Sequence, residues 1–468
     1  MNRSHSPARI ARHVFATCLF MSLCWFSAAG SYAAEEAAAL HSFAEISVTD
    51  PKGGSYNYMQ LLDDRYTTKL ELPAGTEISV RTQEKIHGLY LIWDKPPGYW
   101  ALQTREETRS SMYLLGKNDW IHEYISLPEP SSEITMVMPA NATILCELSL
   151  YGEGPLPDSV QVWTPPHEDA DLLLLPTHAD DEHLFFGGTM PYYAGELGYK
   201  VQVAYLTHHW AEPYRPHELL NGLWTVGIRA YPVIGDFPDY YSDNLEHAKT
   251  LYDLDRVFSY QVELLRRFKP EVVIGHDVEG EYGHGVHMLN AWVLRQAVSL
   301  AADETYLPEQ VEEWGTFEAS KVYLHLYPEG AVVMDWNTPL ERFGGRTAFE
   351  MAEAGFAEHL SQQKWFSVRT EGVHDCRAFG LFHTTVGPDI PEEEPDFFQN
   401  IEHFSDDVLP EETPDSETEK VTEEDDAQEN PANRFPDIPG SSTMWILTAT
   451  LLGVFVIFLL WGRRKNRS

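Results

Sequence analysis

Beyond residue 166, apolar runs of strand length alternate with longer stretches of helical periodicity. Asp171–Leu175, Val201–Leu206, Val272–Gly275 and Val322–Leu326 read as strands, whereas Leu254–Phe268 and Val286–Ala302 read as helices. This order predicts βαβ units around a mostly parallel sheet, an α/β domain spanning 166–391. Before Pro165-Pro166 the pattern changes. Thr76–Arg81, Gly88–Trp93, Ile134–Met138 and Ala142–Leu150 are short, rich in β-branched and aromatic residues, and separated by clusters of Gly, Pro, Asn and Asp. With no helical stripe of useful length among them, residues 34–165 are expected to form an all-β sandwich.

The two ends follow other patterns. Arg3, Arg9 and Arg12, the apolar run Val14–Ala28 and the small-residue site Ser31-Tyr-Ala33 predict a signal peptide over 1–33. Met444–Trp461 is uncharged and apolar, with Trp445 and Trp461 near its ends and Arg463, Arg464, Lys465 and Arg467 after it. These features predict a single transmembrane helix at 442–462 and a cytoplasmic basic tail at 463–468, which puts the protein in the cell membrane with its catalytic domain extracellular. Between fold and helix, 392–441 is dominated by Glu, Asp, Pro, Ser and Thr and reads as an acidic, disordered stalk.

The formal net charge of −39 argues against nucleic acid or anionic lipid as a partner of the folded part, although the stalk carries much of that excess. Cys18 and Cys24 leave with the signal peptide. Cys146 and Cys376 remain, far apart in sequence, so no disulfide framework is expected.

Chemistry concentrates in two loops that follow predicted strands. Pro176-Thr-His-Ala-Asp-Asp-Glu-His183 follows Leu172–Leu175, and Gly275-His-Asp-Val-Glu-Gly-Glu-Tyr-Gly-His-Gly-Val-His287 follows Val272–Ile274. Sites in parallel sheets form beyond the carboxyl ends of strands, so the topology can bring both loops to one cleft. A hydrolytic zinc site wants about three His or carboxylate ligands and an open position. His178 and Asp181 can be aimed at one ion by a tight loop, and His287 can close the set. Asp180 is then free to take a proton from water, and His284 to face a bound carbonyl as acid or oxyanion stabiliser.

His178-Ala-Asp-Asp-Glu182 with Gly187-Gly188-Thr189 resembles the His-Pro-Asp-Asp-Glu signature of the PIG-L or LmbE-like zinc N-deacetylases, and Gly280–His287 resembles their second motif, usually His-Pro-Asp-His. The likeness runs over roughly Asp171 to Asp389. Arg215-Pro-His-Glu218 resembles the family's Arg-x-x-Glu helix, Gly235-Asp-Phe-Pro-Asp239 its acidic strand end, and His359-Leu-Ser-Gln362 and Phe379-Gly-Leu-Phe its closing elements. The resemblance implies a Rossmann-like sheet with helices on both faces and hydrolysis of an acetamide, usually on N-acetylglucosamine. By motif position it implies Zn2+, or another divalent cation, on His178, Asp181 and His287, with Asp180 as base and His284 stabilising the tetrahedral intermediate. Arg215 and Glu218 are the candidates for substrate binding. Two departures stand out: Ala179 replaces Pro, and Gly285-Val286 replaces Pro-Asp. The second removes a carboxylate that could orient an imidazole, a role for which Asp277 and Glu281 are candidates.

Other residues carry blander expectations. His208, His209 and His217 read as surface or cleft-rim imidazoles, Trp224 and Tyr231 as core, and His359 and Tyr323 as structural. The first domain resembles, more faintly, a discoidin or galactose-binding sandwich, on Leu61–Thr68 and Leu148-Ser-Leu-Tyr-Gly152; Trp93, Tyr99 and Trp100 are then either a sugar-facing aromatic set or inter-sheet core. The combined expectation is a membrane-anchored metal-dependent N-deacetylase acting on extracellular N-acetylated glycans. Its rivals are a glycan-binding adhesin with an inactive deacetylase-like domain and a hydrolase of a different amide or ester.

Overall fold

The computed structural model describes residues 37–106, 109–402 and 419–420. The first part is an antiparallel sheet of β1 (Glu45–Thr49), β2 (Leu70–Leu72), β3 (Glu77–Trp93), β4 (Trp100–Glu106), β5 (Arg109–Leu115), β6 (His122–Val137) and β7 (Thr143–Tyr151). Its order is β5-β4-β6-β3-β7-β2, with β1 paired to the start of β3. The segments Thr76–Arg81 and Gly88–Trp93, expected as separate strands, are two halves of β3. Backbone pairing with β6 carries the chain through its polar middle, at the cost of register shifts between Arg81 and Gly88. Strands β4 and β5 escape the hydrophobic pattern because only alternate residues, such as Trp100, Leu102, Tyr113 and Leu115, turn inward.

The second sheet contains β8 (Leu172–Leu174), β9 (Val201–Tyr205), β10 (Val233–Ile234), β11 (Val272–Gly275), β12 (Lys321–His325), β13 (Ala331–Val333) and β14 (Ala378–Thr384), in the order β10-β9-β8-β11-β12-β14-β13. The first five are parallel; β14 and β13 add an antiparallel edge. Helices α1 (Asp181–Leu184), α2 (Arg215–Thr225), α3 (Leu245–Leu251), α4 (Leu254–Phe268), α5 (Gly285–Ala302), α6 (Pro308–Trp314) and α7 (Ala348–Ala357) surround it. Alternate strand residues serve opposite faces. Leu173, Val273, Val322 and Leu324 pack with Val262, Leu265, Leu294 and Val298 of α4 and α5. Leu172, Leu174, Ile274 and Tyr323 belong instead to the core that holds Leu184, Leu219, Leu223 and Phe356 of α1, α2 and α7. Burial on both faces explains the unbroken apolar strands.

From β8 the chain winds outward through β9 and β10, then returns to β11 on the other side. The order therefore reverses between β8 and β11, the kind of switch point beyond whose carboxyl ends parallel sheets form their crevice. The Arg266 side chain of α4 holds this half together by donating to the carbonyls of Leu300, Ala301, Asp303, Tyr306 and Leu307. The last turn of α5 thus receives donors that its own backbone lacks.

The expected chain ends need correction. Among the described residues no helix is long and apolar enough to cross a membrane. This overturns the single-pass anchor and the cell-membrane, extracellular placement built on it. The segments that suggested them, 1–33, 442–462 and 463–468, lie outside the described residues. The stretch expected to leave the fold at 392 stays packed to Ile401, because Phe397 and Phe398 are buried against Tyr193 and Tyr199. Tyr193 Oη donates to Asp396 at 2.7 Å and accepts the Phe397 N–H at 3.0 Å. Further on, β15 (Glu419–Lys420) pairs antiparallel with β5. Cys146 and Cys376 are free and buried.

Glu123 of β6 is buried beside Trp100, whose Nε1–H donates to it at 3.3 Å; burial pushes its carboxyl up to about 7 against that hydrogen bond. A carboxyl raised in the fold keeps its proton more tightly there than in the unfolded chain. Its contribution is therefore fully favourable below its ordinary 4.5 and declines as pH rises through about 7. Thermal unfolding between pH 5 and pH 8 should show this decline, and Glu123→Gln should remove on the order of 2–3 kcal/mol of it. An unchanged pH slope in the variant would refute the assignment.

Candidate metal centre and active site

The loop after β8 is held as an extension of the sheet. Leu206 N–H donates to Pro176 O and Thr207 N–H to Thr177 O, while Asn290 of α5 donates to Leu175 O and Thr177 Oγ1. The chain then turns sharply so that Asp181 folds back beneath it. Asp181 Oδ2 accepts the N–H of His178 at 2.7 Å and of Thr177 at 3.1 Å. The loop after β11 ends at His284, directly before α5, which puts His287 in the first turn of that helix.

These two loops meet at Asp181. Its Oδ2 lies 3.4 Å from His178 Nδ1 and 3.2 Å from His287 Nε2, and the two imidazole nitrogens are 2.9 Å apart. All three side chains are buried. Ligands about 2.0–2.2 Å from a tetrahedral zinc are separated by roughly 3.3–3.5 Å. The sequence-predicted trio thus presents three donor atoms at close to the spacing of one face of such a site. Overlapping groups, His178 with His284 and His287, and Asp181 with His276 and His287, could also hold an ion. His276 is already committed, since its Nε2 accepts the Thr177 N–H at 2.9 Å and its Nδ1 meets Glu281 at 2.8 Å.

Asp180 stands beside the trio with a φ of 112°, a conformation unfavourable for any residue but glycine. Three contacts hold it there. Its N–H donates to Glu182 Oε2 at 2.8 Å; its Oδ1 lies 3.4 Å from Arg215 Nη2; and the same guanidinium donates to Ala179 O. Burial pushes the Asp180 carboxyl well above the ordinary carboxylate range, and the Arg215 charge opposes that rise. Arg215 therefore touches the proposed base, whereas both oxygens of Glu218 are engaged by Ser361, at 2.9 Å from its N–H and 2.6 Å from its hydroxyl. The substrate-binding role expected of Glu218 has no support in those contacts.

His284 is buried on the opposite flank, its ring 5.0 Å from that of His178, with Nδ1 unpartnered. Burial, reinforced by His178 and His287, lowers it to about 3 and keeps it neutral. Of the two carboxylates expected to orient an imidazole in place of the missing Asp, Glu281 does so, though not for His284. Glu281 instead bridges His276 at 2.8 Å and His325 at 2.6 Å, and Asp277 caps the Glu279 N–H. The departures themselves have a packing cause. Gly285 donates its N–H to Ser242 O at 2.7 Å, which proline could not do, and a Cβ there would collide with Asn244 O. Val286 is buried among Leu206, Phe237, Val257 and Leu289, a poor place for a carboxylate.

Several residues lie elsewhere than expected. His209, expected at the rim, is buried in the site: its Nε2 accepts the Ala179 N–H at 3.2 Å and its Nδ1 is 3.4 Å from Asp239, which also sits 3.3 Å from His178 Nε2. Burial acts upward on Asp239, but the His178 hydrogen bond and charge prevail and hold it below the usual range. His217, likewise expected at the surface, is fully buried and meets His122 of β6 at 2.9 Å. His208 is half-buried beside Trp210. Tyr231 stacks on Trp120 and accepts the Ile121 N–H, and Trp224 packs edge-on against Trp163, so both serve packing. Trp93 and Trp100 are buried, leaving only Tyr99 of that set exposed. Tyr323 is tied to Asp389 and Lys321.

The family model described as PIG-L: GlcNAc-PI de-N-acetylase matches residues 173–298. The chain is 28% identical over 209 residues to the 1D-myo-inositol 2-acetamido-2-deoxy-alpha-D-glucopyranoside deacetylase 1 of Catenulispora acidiphila, covering 39% of this chain and 64% of that one. It is 31% identical over 187 residues to the enzyme of the same name, without the numeral, from Streptomyces avermitilis, covering 34% and 62%. The chain thus spans less than two thirds of the length of these curated relatives. A solved structure of N,N'-diacetylchitobiose deacetylase from Pyrococcus horikoshii is 17% identical over 42% of this chain and 72% of that one, with a TM-score of 0.32, too distant to bear on chemistry. The matched segment runs from β8 through most of α5 and contains both loops that meet at Asp181. The similarity to the PIG-L family is therefore carried by residues 173–298, a segment of this chain.

Proposed function

We propose that this chain hydrolyses the acetamide of an N-acetylglucosamine-type sugar, releasing acetate and the free amine. The observation that carries the reading is the donor triangle of His178 Nδ1, Asp181 Oδ2 and His287 Nε2, flanked by a buried carboxylate and a neutral imidazole. The family match and the names of the relatives, which specify a 2-acetamido-2-deoxy-glucopyranoside, support the substrate class.

His178, Asp181 and His287 would hold a divalent cation, with zinc the best fit to their mixed nitrogen and oxygen donors. When bound, such an ion polarises the amide carbonyl and acidifies water. The chain's own residues then divide the proton work. Asp180, raised by burial, accepts the proton of the attacking water as its oxygen bonds to the carbonyl carbon, and returns it to the amine nitrogen as the C–N bond breaks. Arg215, 3.4 Å from Asp180 Oδ1, keeps that carboxylate aimed. Neutral His284 is placed to donate to the carbonyl oxygen as negative charge gathers there.

Acetate release should be measured with the full chain on N-acetylglucosamine, N,N'-diacetylchitobiose and a glucosaminide carrying inositol. Turnover should vanish on chelation and return with zinc. Asp180→Asn should lower kcat by roughly 10²–10⁴-fold while metal content stays at the wild-type level. Undiminished turnover in that variant would remove Asp180 from the mechanism, and no acetate from any sugar would overturn the substrate class.

Metal affinity separates the ligands from their neighbours. His287→Ala should weaken zinc binding at this site by at least about 100-fold in calorimetry, the order already seen when partners of metal ligands are removed. His208→Ala should leave it unchanged. Arg215→Lys should lower kcat with little change in KM, because the lost fork acts through Asp180; a KM effect alone would mean that Arg215 binds substrate directly.

A further inference from the structure

A second cluster of donors adjoins the first. Glu182, His183 and His359 are each 0% exposed, and one oxygen and two imidazoles converge there. Glu182 Oε2 is accounted for, since it accepts the Asp180 N–H. Glu182 Oε1 lies 3.4 Å from His183 Nε2 and 3.2 Å from His359 Nε2, yet it hydrogen-bonds neither. All four ring nitrogens of the two histidines also lack a hydrogen-bond partner.

The same domain supplies an internal control. Glu281, His276 and His325 have the same composition and are equally enclosed, but their O···N separations are 2.8 and 2.6 Å. The remaining ring nitrogens there are used as well, by the Thr177 N–H and by Asp375 O at 3.0 Å. That is how a buried carboxylate and two imidazoles look when protons join them. The Glu182 cluster differs in each respect. Its separations of 3.2 and 3.4 Å are those of neighbouring ligands around a small cation, roughly 3.3–3.5 Å for bonds of 2.0–2.2 Å.

Energetics points the same way. A buried polar atom left without a partner keeps the full cost of its desolvation. Five in one cluster amount to a penalty comparable with the whole stability of a typical domain. A cation would engage three of them at once. The surrounding backbone has also made room for the rings. A Cβ on Gly222 would stand 2.6 Å from His183 Nε2 and 3.0 Å from His359 Nε2, and one on Gly355 would collide with the His183 ring.

We propose that Glu182, His183 and His359 bind a second divalent transition-metal cation of the zinc class, enclosed and structural, which ties α1 to the end of α7. It is independent of the reaction assigned above. Its service to the site is indirect: with Oε1 fixed on the ion, Glu182 Oε2 is held where it receives the Asp180 N–H.

The decisive measurement is the metal content of the full-length His287→Ala protein, reconstituted with excess zinc and freed of loose ion by brief treatment with chelator. One equivalent is expected, released only when denaturant is added, because the ligands are sealed from solvent. Adding His183→Leu or His359→Phe in that background should abolish it. A folded His287→Ala protein with no retained zinc overturns the proposal, as does retention of the ion in both double variants. If the double variants do not fold, X-ray absorption on the ion retained by His287→Ala decides: two imidazoles with a carboxylate are expected, and any other set of side chains overturns it.

Discussion

Everything near the crevice depends on one carboxylate, Asp181, remaining charged while buried among imidazoles. A lone carboxylate in such a place would take up a proton rather than stay ionised. Two backbone N–H groups, from Thr177 and His178, prevent that at a fixed point in space. The coulombic pull of His287 and His276 adds to them and outweighs burial, so the group lies well below its ordinary pKa. Once Asp181 is pinned, His178 and His287 can approach to within 2.9 Å of one another without a net repulsive charge. The topological reversal between β8 and β11 is what delivers the two loops to that point.

Helix α2 transmits this constraint to the rest of the molecule. Arg215 grips the Asp180 turn, Glu218 grips Ser361, and His217 between them reaches His122 in the antiparallel sheet. Gln161 joins the same network, meeting His122 at 2.8 Å and Asn221 of α2 at 2.7 Å. One helix therefore fixes three neighbours, which explains why its first six residues, polar as well as apolar, are all buried.

Much of this was legible beforehand, for reasons that particular residues make plain. Helix α4 occupies the range its periodicity predicts, because Val262, Leu265 and Phe268 form one apolar stripe buried in the sheet's core, with Val257 buried in the adjoining cluster around Phe237. The His178, Asp181 and His287 trio was readable because loop chemistry at strand ends is confined by topology. His209 was missed although it stands four residues beyond β9, next to β8 in the sheet; strand order, unavailable from one sequence, is the signal that finds it. His276 stands in the second loop but was given no role from the sequence. His217 was misread as a surface residue, since its partner His122 lies 95 positions away in another sheet. The membrane-anchor reading failed differently, being drawn from the composition of a segment, 442–462, that lies outside the described residues.

The seam between the two sheets has an implication for biosynthesis. The antiparallel sheet and the β8 face of the parallel sheet share one continuous core, joined by Trp163, Tyr231 and the His122–His217 contact. Translation proceeds from the amino terminus, so the strand bearing His122 and the residue Gln161 emerge from the ribosome well before α2 exists. When Arg215–Thr225 follows, one of the surfaces that orient it has already been made, while α7 and Ser361 are still to come. The antiparallel sheet is thus a template as much as a module, against which part of the parallel-sheet half takes its shape as it is made.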